Sequence, residues 1–303
     1  MQHRRARIDA RMRRAAAVAG LAALALAACN VIAGLDREYT RAVDAEAGSV
    51  PLPDAEPPEA PPPGDAGVDA RKTCPSGRGP AMVAIDETYC IDSTEVTQAQ
   101  YAAFLAADAG GAFLPDSGVC AWKTGFEPRN TNELCRWDPS KNPNLPVACV
   151  DWCDAYAFCA WAGKRLCGAI DGGPVPWEGD ADTDPNQDEW YRACSRAGTR
   201  RFPYGDVWQD QACLDRDAGQ QGVGDAGSRP GCVGGYDGLW DMVGSVFEFE
   251  NSCSGDNGRS DLCKVRGGSW FHPEATFSSC VGVGRRDTRD EWNNDFGIRC
   301  CAD

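Results

Sequence analysis

Histidine is almost missing from this chain, with two in 303 residues, His3 and His272. His3 lies in the extreme N-terminal segment, so a Ser-His-Asp or Cys-His mechanism would have to use His272 itself. A multi-histidine iron or zinc site within one chain is excluded. Beside Pro273, His272 reads as a loop residue. The spacing C-x-x-C occurs nowhere among the 17 cysteines. Its absence argues against a thioredoxin-type redox pair and against zinc-knuckle geometry. Basic residues are few: 30 Lys and Arg stand against 45 Asp and Glu, a net charge of −15. That balance argues against nucleic acid as a partner. The apolar run at 15–27 is too short to span a bilayer as a mature helix.

What is present begins with a targeting pattern. Six arginines in residues 1–14 precede the Ala- and Leu-rich run, which is the layout of a secretory signal. It stops at Leu26-Ala27-Ala28-Cys29, an order that resembles a bacterial lipobox. Residues 1–28 are therefore expected to be a lipoprotein signal peptide and Cys29 the lipidated residue. Such an anchor holds a protein on a membrane surface outside the cytoplasm without spanning the membrane. Asn30 points to the outer membrane or cell surface. Removing residues 1–28 takes away six Arg and one Asp and leaves 24 basic against 44 acidic residues, a charge of −20. Residues 29–72 read as a Pro/Ala/Asp-rich linker, with seven prolines between Pro51 and Pro63. That composition cannot bury enough apolar surface to offset chain entropy. Its Pro-rich part is expected to be extended and stiff.

Residues 73–303 suit one domain with a sizeable core. The 34 Gly and ten Trp of the chain point to a loop-rich structure. Setting Cys29 aside leaves 16 cysteines, an even number that reads as a disulfide framework in an exported domain. Sequence does not give their connectivity. Helices are expected over 95–107, capped by Thr94, over 151–162, and over 187–197, closed by Gly198. Strands are expected at Met82–Ile85, Val265–Arg266 and Phe296–Cys300. Between the last two helices, residues 168–187 read as a polar loop. GVGDAG at 222–227 matches G-x-G-x-x-G by letter only, because no apolar strand precedes it.

Seven blocks occur in a telling order: STEVTQAQY, VDWCDAYAFCAWAGKRL, DEWYRACSRAG, RFPYG, YDGLWDMVGSVFEFE, VRGGSW and FGIRC. Together they resemble the formylglycine-generating enzyme family, also called sulfatase-modifying factor domains, over residues 80–303. The resemblance implies an α+β fold of C-type-lectin-like form, loop-rich and, with these cysteines, disulfide-stapled. Catalytic members oxidise a cysteine of a sulfatase to formylglycine with molecular oxygen and copper, which two tail cysteines spaced C-x4-C hold. Soft thiolates select Cu(I).

Here the pattern departs. Cys280 is the candidate thiol, but the fifth residue after it is Arg285 and the fifth before it is Ala275. Cys280 is therefore read as a disulfide end. A rearranged copper site pairing it with Cys300 or Cys301 is the alternative. The family also binds structural calcium, and the resemblance carries one site onto the Asp241 side chain, the Gly244 and Val246 carbonyls and the Glu248 side chain. Two carboxylates flanking carbonyls on a Gly-containing turn suit that hard cation. A second calcium site falls on Cys213 and Leu214 and is lost. Cys213 is expected to pair with Cys232, so that a disulfide takes over part of the metal's role.

Two functions follow from different classes. The first is a non-catalytic domain that binds a protein or glycan ligand, with Trp270, Phe271, Trp292 and Asp295 as contact residues. Core packing is the plainer reading of those aromatics. The second is a copper-dependent protein-cysteine oxidase in which Cys280 is the thiolate and Arg285 or Arg286 lowers its pKa.

Overall fold

The computed structural model describes residues 72–107, 110–129, 135–209, 212–213, 223–272, 274–282 and 284–303. The expectations for residues 1–28, for Cys29 and for the linker up to residue 71 lie outside the described residues, as does Leu214.

Two four-stranded sheets frame the domain. In the first, β1 (Met82–Ile85) pairs with β2 (Tyr89–Asp92), β2 with β8 (Cys300–Ala302), and β8 with β3 (Arg165–Leu166), all antiparallel. In the second the order is β6 (Arg286–Thr288), β5 (Leu262–Arg266), β4 (Phe247–Cys253) and β7 (Phe296–Gly297). There β4 and β7 run parallel and the other neighbours antiparallel. The tail thus serves both sheets. The expected strand at 296–300 is broken at Ile298 and Arg299, because the chain leaves one sheet and enters the other across those two residues.

Three helices pack on this frame: α1 (Gln98–Ala106), α2 (Trp152–Trp161) and α3 (Glu189–Ser195). Helix α1 starts three residues later than expected. Thr97, not Thr94, is its cap, and Thr97 with Gln100 forms a capping box. Val96 is unavailable to a helix because its N–H donates to the Ile298 carbonyl and its own carbonyl accepts from Val147. Asp151 and Asp154 form the same kind of box at α2. Asp188 caps α3, which ends early where Arg196 and Ala197 turn left-handed.

The apolar interior has two parts. Tyr101, Phe104, Phe158 and Trp161 of α1 and α2 pack with Phe247, Phe249 and Phe296. Their rings meet at centroid distances of 5.3–6.1 Å, within the range for favourable edge and offset contacts. The second part gathers Ile85, Tyr89, Ile91, Trp190, Leu239 and Met242. Successive strand residues point to opposite faces, so Cys300 joins the first cluster and Cys301 the second.

Eight disulfides cross-link all sixteen cysteines of residues 73–303: 74–90, 120–153, 135–149, 159–300, 167–301, 194–280, 213–232 and 253–263. Three of them tie the last 24 residues to the body. The glycine pair of VRGGSW lets the tail close on that body. Gly267 and Gly268 have φ of +90° and +74°, and a Cβ at Gly268 would lie 2.4 Å from Ser278 Oγ.

Candidate functional site

The tail from Gly267 to Asp295 carries the candidate thiol Cys280 and the expected contact residues Trp270, Phe271, Trp292 and Asp295. Cys280 is fully buried and bonded to Cys194 at the end of α3. Its N–H donates to Arg201 O and its carbonyl accepts from Arg266. The rearranged pairing is overturned: Cys300 bonds Cys159 of α2, and Cys301 bonds Cys167. These partners lie on opposite faces of β8, so neither sulfur is free to meet Cys280. Copper held by thiolates does not fit this donor set, because every cysteine of residues 73–303 is spent in a disulfide. Cys213 bonds Cys232. Arg285 stands on Asp287, 3.2 Å away, rather than on a thiolate.

The lone histidine sits in a nest of rings. His272 lies 5.8, 5.2 and 5.3 Å from the rings of Phe247, Phe271 and Phe277. Near it Ser269 donates to Asp295 Oδ2 at 2.7 Å and accepts the N–H groups of Phe271 and His272. That hydroxyl is a turn-former locked onto a carboxylate, not a nucleophile turned to an imidazole. Asp295, expected as an exposed contact, is 1% exposed. Burial raises its pKa, opposed by the Ser269 hydrogen bond and by Arg285 and His272. Phe271 is 46% exposed, Trp270 half-buried with its indole 3.5 Å from the Asn294 carbonyl, and Trp292 half-buried under Arg129. Of the four expected contact residues only Phe271 is exposed.

The calcium residues fall in a buried cluster around Arg299. The turn from Asp241 to Ser245 holds three left-handed residues, Asp241, Gly244 and Ser245, a conformation that costs energy outside glycine. Both oxygens of Glu248 are taken: Oε1 accepts from Arg299 at 2.8 Å and Oε2 from the Trp190 indole at 2.6 Å. Arg299 also donates to the carbonyls of Asp92, Trp240 and Asp241. A third carboxylate, which the sequence reading treated as helix, stands here. Glu95 is fully buried, and neither of its oxygens has a partner among the described residues. Burial pushes its pKa well up, and neighbouring Asp241 pushes it further, against Arg299. Asp241 itself rises to about 6, mainly through burial, against the Gly227 N–H and Arg299. Glu248 is also raised by burial, opposed by Arg299.

Three carboxylates thus face one guanidinium. Asp241, the orphaned Glu95 oxygens and the Gly244 and Val246 carbonyls on the adjoining turn are all oxygen donors, the type a hard cation takes. Glu248 fits it less well, because its lone pairs already serve Arg299 and Trp190. Among the described residues no three His, Cys, Asp or Glu side chains converge at metal distance. No local signal marks Glu95, which stands in the polar stretch Ser93-Thr94-Glu95-Val96-Thr97.

Comparison with known proteins places this geometry. The model of the sulfatase-modifying factor enzyme 1-like domain matches residues 60–303. The mouse protein named inactive C-alpha-formylglycine-generating enzyme 2 is 24% identical over 265 residues, 75% of this chain and 79% of that protein. The formylglycine-generating enzyme of Streptomyces coelicolor is 27% identical over 262 residues, 70% of this chain and 77% of its own length. The mouse formylglycine-generating enzyme is 27% identical over 188 residues, and the match spans less than half of it, 45%. Among solved structures, PvdO from Pseudomonas aeruginosa superposes with a TM-score of 0.48 at 20% identity, over 73% of this chain and 82% of that one.

Proposed function

The chain belongs to the sulfatase-modifying factor enzyme 1-like domain family, and we propose that it is a member without cysteine-oxidising activity, a domain that binds a ligand at a surface. The observation that carries this reading is the buried Cys194–Cys280 disulfide. Oxidation through copper needs two thiolates that are free, close and exposed. Here the one cysteine near the expected place is cross-linked, and its neighbours in the tail are bonded to α2 and to Cys167. Similarity to a relative named inactive, over 79% of that relative, is consistent with such a loss. The lipobox-like Cys29 and the Pro-rich linker support export, with a lipid anchor that presents the domain outward from an outer membrane or cell surface. Calcium belongs to the same proposal as a structural ion held by Asp241, Glu95 and the Gly244 and Val246 carbonyls. When bound it would neutralise buried charge and stiffen the turn; it takes no part in bond-making.

The test is a Cu(I) titration of the exported protein together with an oxygen-dependent turnover assay on a cysteine peptide. The expected result is no stoichiometric copper and no aldehyde product. Tight one-to-one copper binding with peptide oxidation would overturn the reading in favour of a copper-dependent oxidase.

A further inference from the structure

A cleft is built from α2, the 174–177 loop, the end of β4 and Arg289. Its volume is about 570 Å³ and it is open to solvent, a size that suits a small-molecule or oligomeric ligand. One wall is Tyr156, half-buried, whose ring lies 5.2 Å from that of Trp152 at a tilt of 30°, one helical turn away; Trp152 itself is only 4% exposed and backs the wall. Trp177 forms a second wall, steadied by Lys264 and Arg286 at 5.5 and 4.9 Å from its ring.

Both walls are fixed to one strand. The Trp152 indole donates to Glu250 O, while Val175 N–H donates to Asn251 O and Ser252 Oγ to Val175 O. The aromatic walls are therefore set before any ligand arrives, which limits the entropy lost on binding.

The polar lining is unspent. Among the described residues nothing hydrogen-bonds to the Asn251 side-chain amide, the Tyr156 hydroxyl, the Trp177 indole N–H or the exposed Asp256 carboxylate, and all four residues line the cleft. Arg289, 2% exposed, also lines it and lies 5.1 Å from the Trp152 ring. Its NH groups are used on Gly258 O, Asp261 and Gly255 O, yet its buried Nε–H has no partner.

We propose that this cleft binds a neutral oligosaccharide. Tyr156 and Trp177, both half-buried, offer aromatic surface to the C–H faces of sugar rings. The amide, carboxylate, hydroxyl and indole groups offer both donors and acceptors to sugar hydroxyls, which carry both in one group. An anionic ligand is disfavoured, because the guanidinium of Arg289 is already spent on carbonyls and Asp261, and Asp256 adds negative charge at the rim. This inference deepens the binding-domain reading and rests on it, but it places the ligand away from Phe271.

The test uses the folded exported protein and three linear tetrasaccharides as probes: β1,4-linked glucose, β1,4-linked N-acetylglucosamine and α1,4-linked glucose, each titrated calorimetrically. At least one is expected to bind. Trp177→Ala should weaken that binding about tenfold with the melting temperature unchanged, and Asn251→Ala should weaken it as well. Phe271→Ala should leave it intact. Absence of binding by all three sugars, or full affinity in Trp177→Ala, overturns the inference. Loss in Phe271→Ala alone also overturns it, while leaving the binding-domain reading standing. Copper binding and peptide turnover would instead sink that reading without bearing on the sugar result.

Discussion

The helical half and the tail are held by different forces. In α1 and α2, Tyr101, Phe104, Phe158 and Trp161 interlock ring against ring, and two capping boxes set the helix starts. From Cys280 onward, three disulfides and a buried guanidinium do the holding, with Arg299 bonded to Glu248 and to three carbonyls. Aromatic packing is local and repeats with the helical turn. Cross-links and buried ion pairs join points far apart in sequence, such as Cys159 and Cys300, separated by 141 residues.

The comparison breaks hardest at the bridges. Replacing Cys159, Cys167, Cys300 and Cys301 together by Ala removes both bridges that close loops of 141 and 134 residues and should cost roughly 5 kcal/mol in urea unfolding. Loss of less than about 1 kcal/mol would show that the tail is held by packing instead. Next in size, Arg299→Met leaves Glu248 buried without its cation and should cost about 3–5 kcal/mol. Phe158→Ala in the helical half should cost a similar ~3–5 kcal/mol by opening a cavity. The two differ in their salt and pH response: the arginine variant should shift its pH profile, and the phenylalanine variant should only lower it. Parallel profiles would erase the distinction drawn between the regions.

A third effect is the pH dependence itself. The folded-state pKa values of Glu95 and Asp241 lie above the usual carboxylate range, that of Asp241 at about 6. Between the ordinary value near 4 and the raised one, the folded chain binds more protons than the unfolded chain. Stability from these groups is therefore greatest below pH ~4 and falls as pH rises through about 6. In chelator the melting temperature should drop by several degrees from pH 5 to pH 8, and millimolar calcium at pH 8 should restore it. Glu95→Gln should flatten the drop and abolish the calcium effect. A melting curve indifferent to calcium in the parent protein removes calcium from the account. Smallest is Thr97→Ala, which takes away one capping hydroxyl of α1 and should cost about 1 kcal/mol. No change would mean that the start of α1 is set by Val96 pairing alone.

Much of the helical half was legible in advance. The ring spacing of Tyr101 and Phe104, the Asp151 start of α2 and the apolar run Met82–Ile85 are periodic or local signals, and each stands where the pattern placed it. The start of α1 was not, because Val96 is claimed by Val147 and Ile298, partners that no window around Val96 contains. The even cysteine count announced a framework but not its connectivity, which depends on strand faces: adjacent Cys300 and Cys301 diverge only because β8 alternates sides. Glu95 stayed hidden for the same reason, since its isolation is a property of the carboxylates gathered round Arg299. The sugar cleft brings together residues 115, 152, 177, 251 and 289 and leaves no contiguous motif.

The central claim is that no thiol is available in the domain. It is tested most directly by alkylating the native protein, digesting it without reduction and mapping the peptides. The account predicts Cys194 joined to Cys280, the other seven pairs as described, and no alkylated cysteine in residues 73–303. An alkylated Cys280 accompanied by a second free cysteine would contradict it.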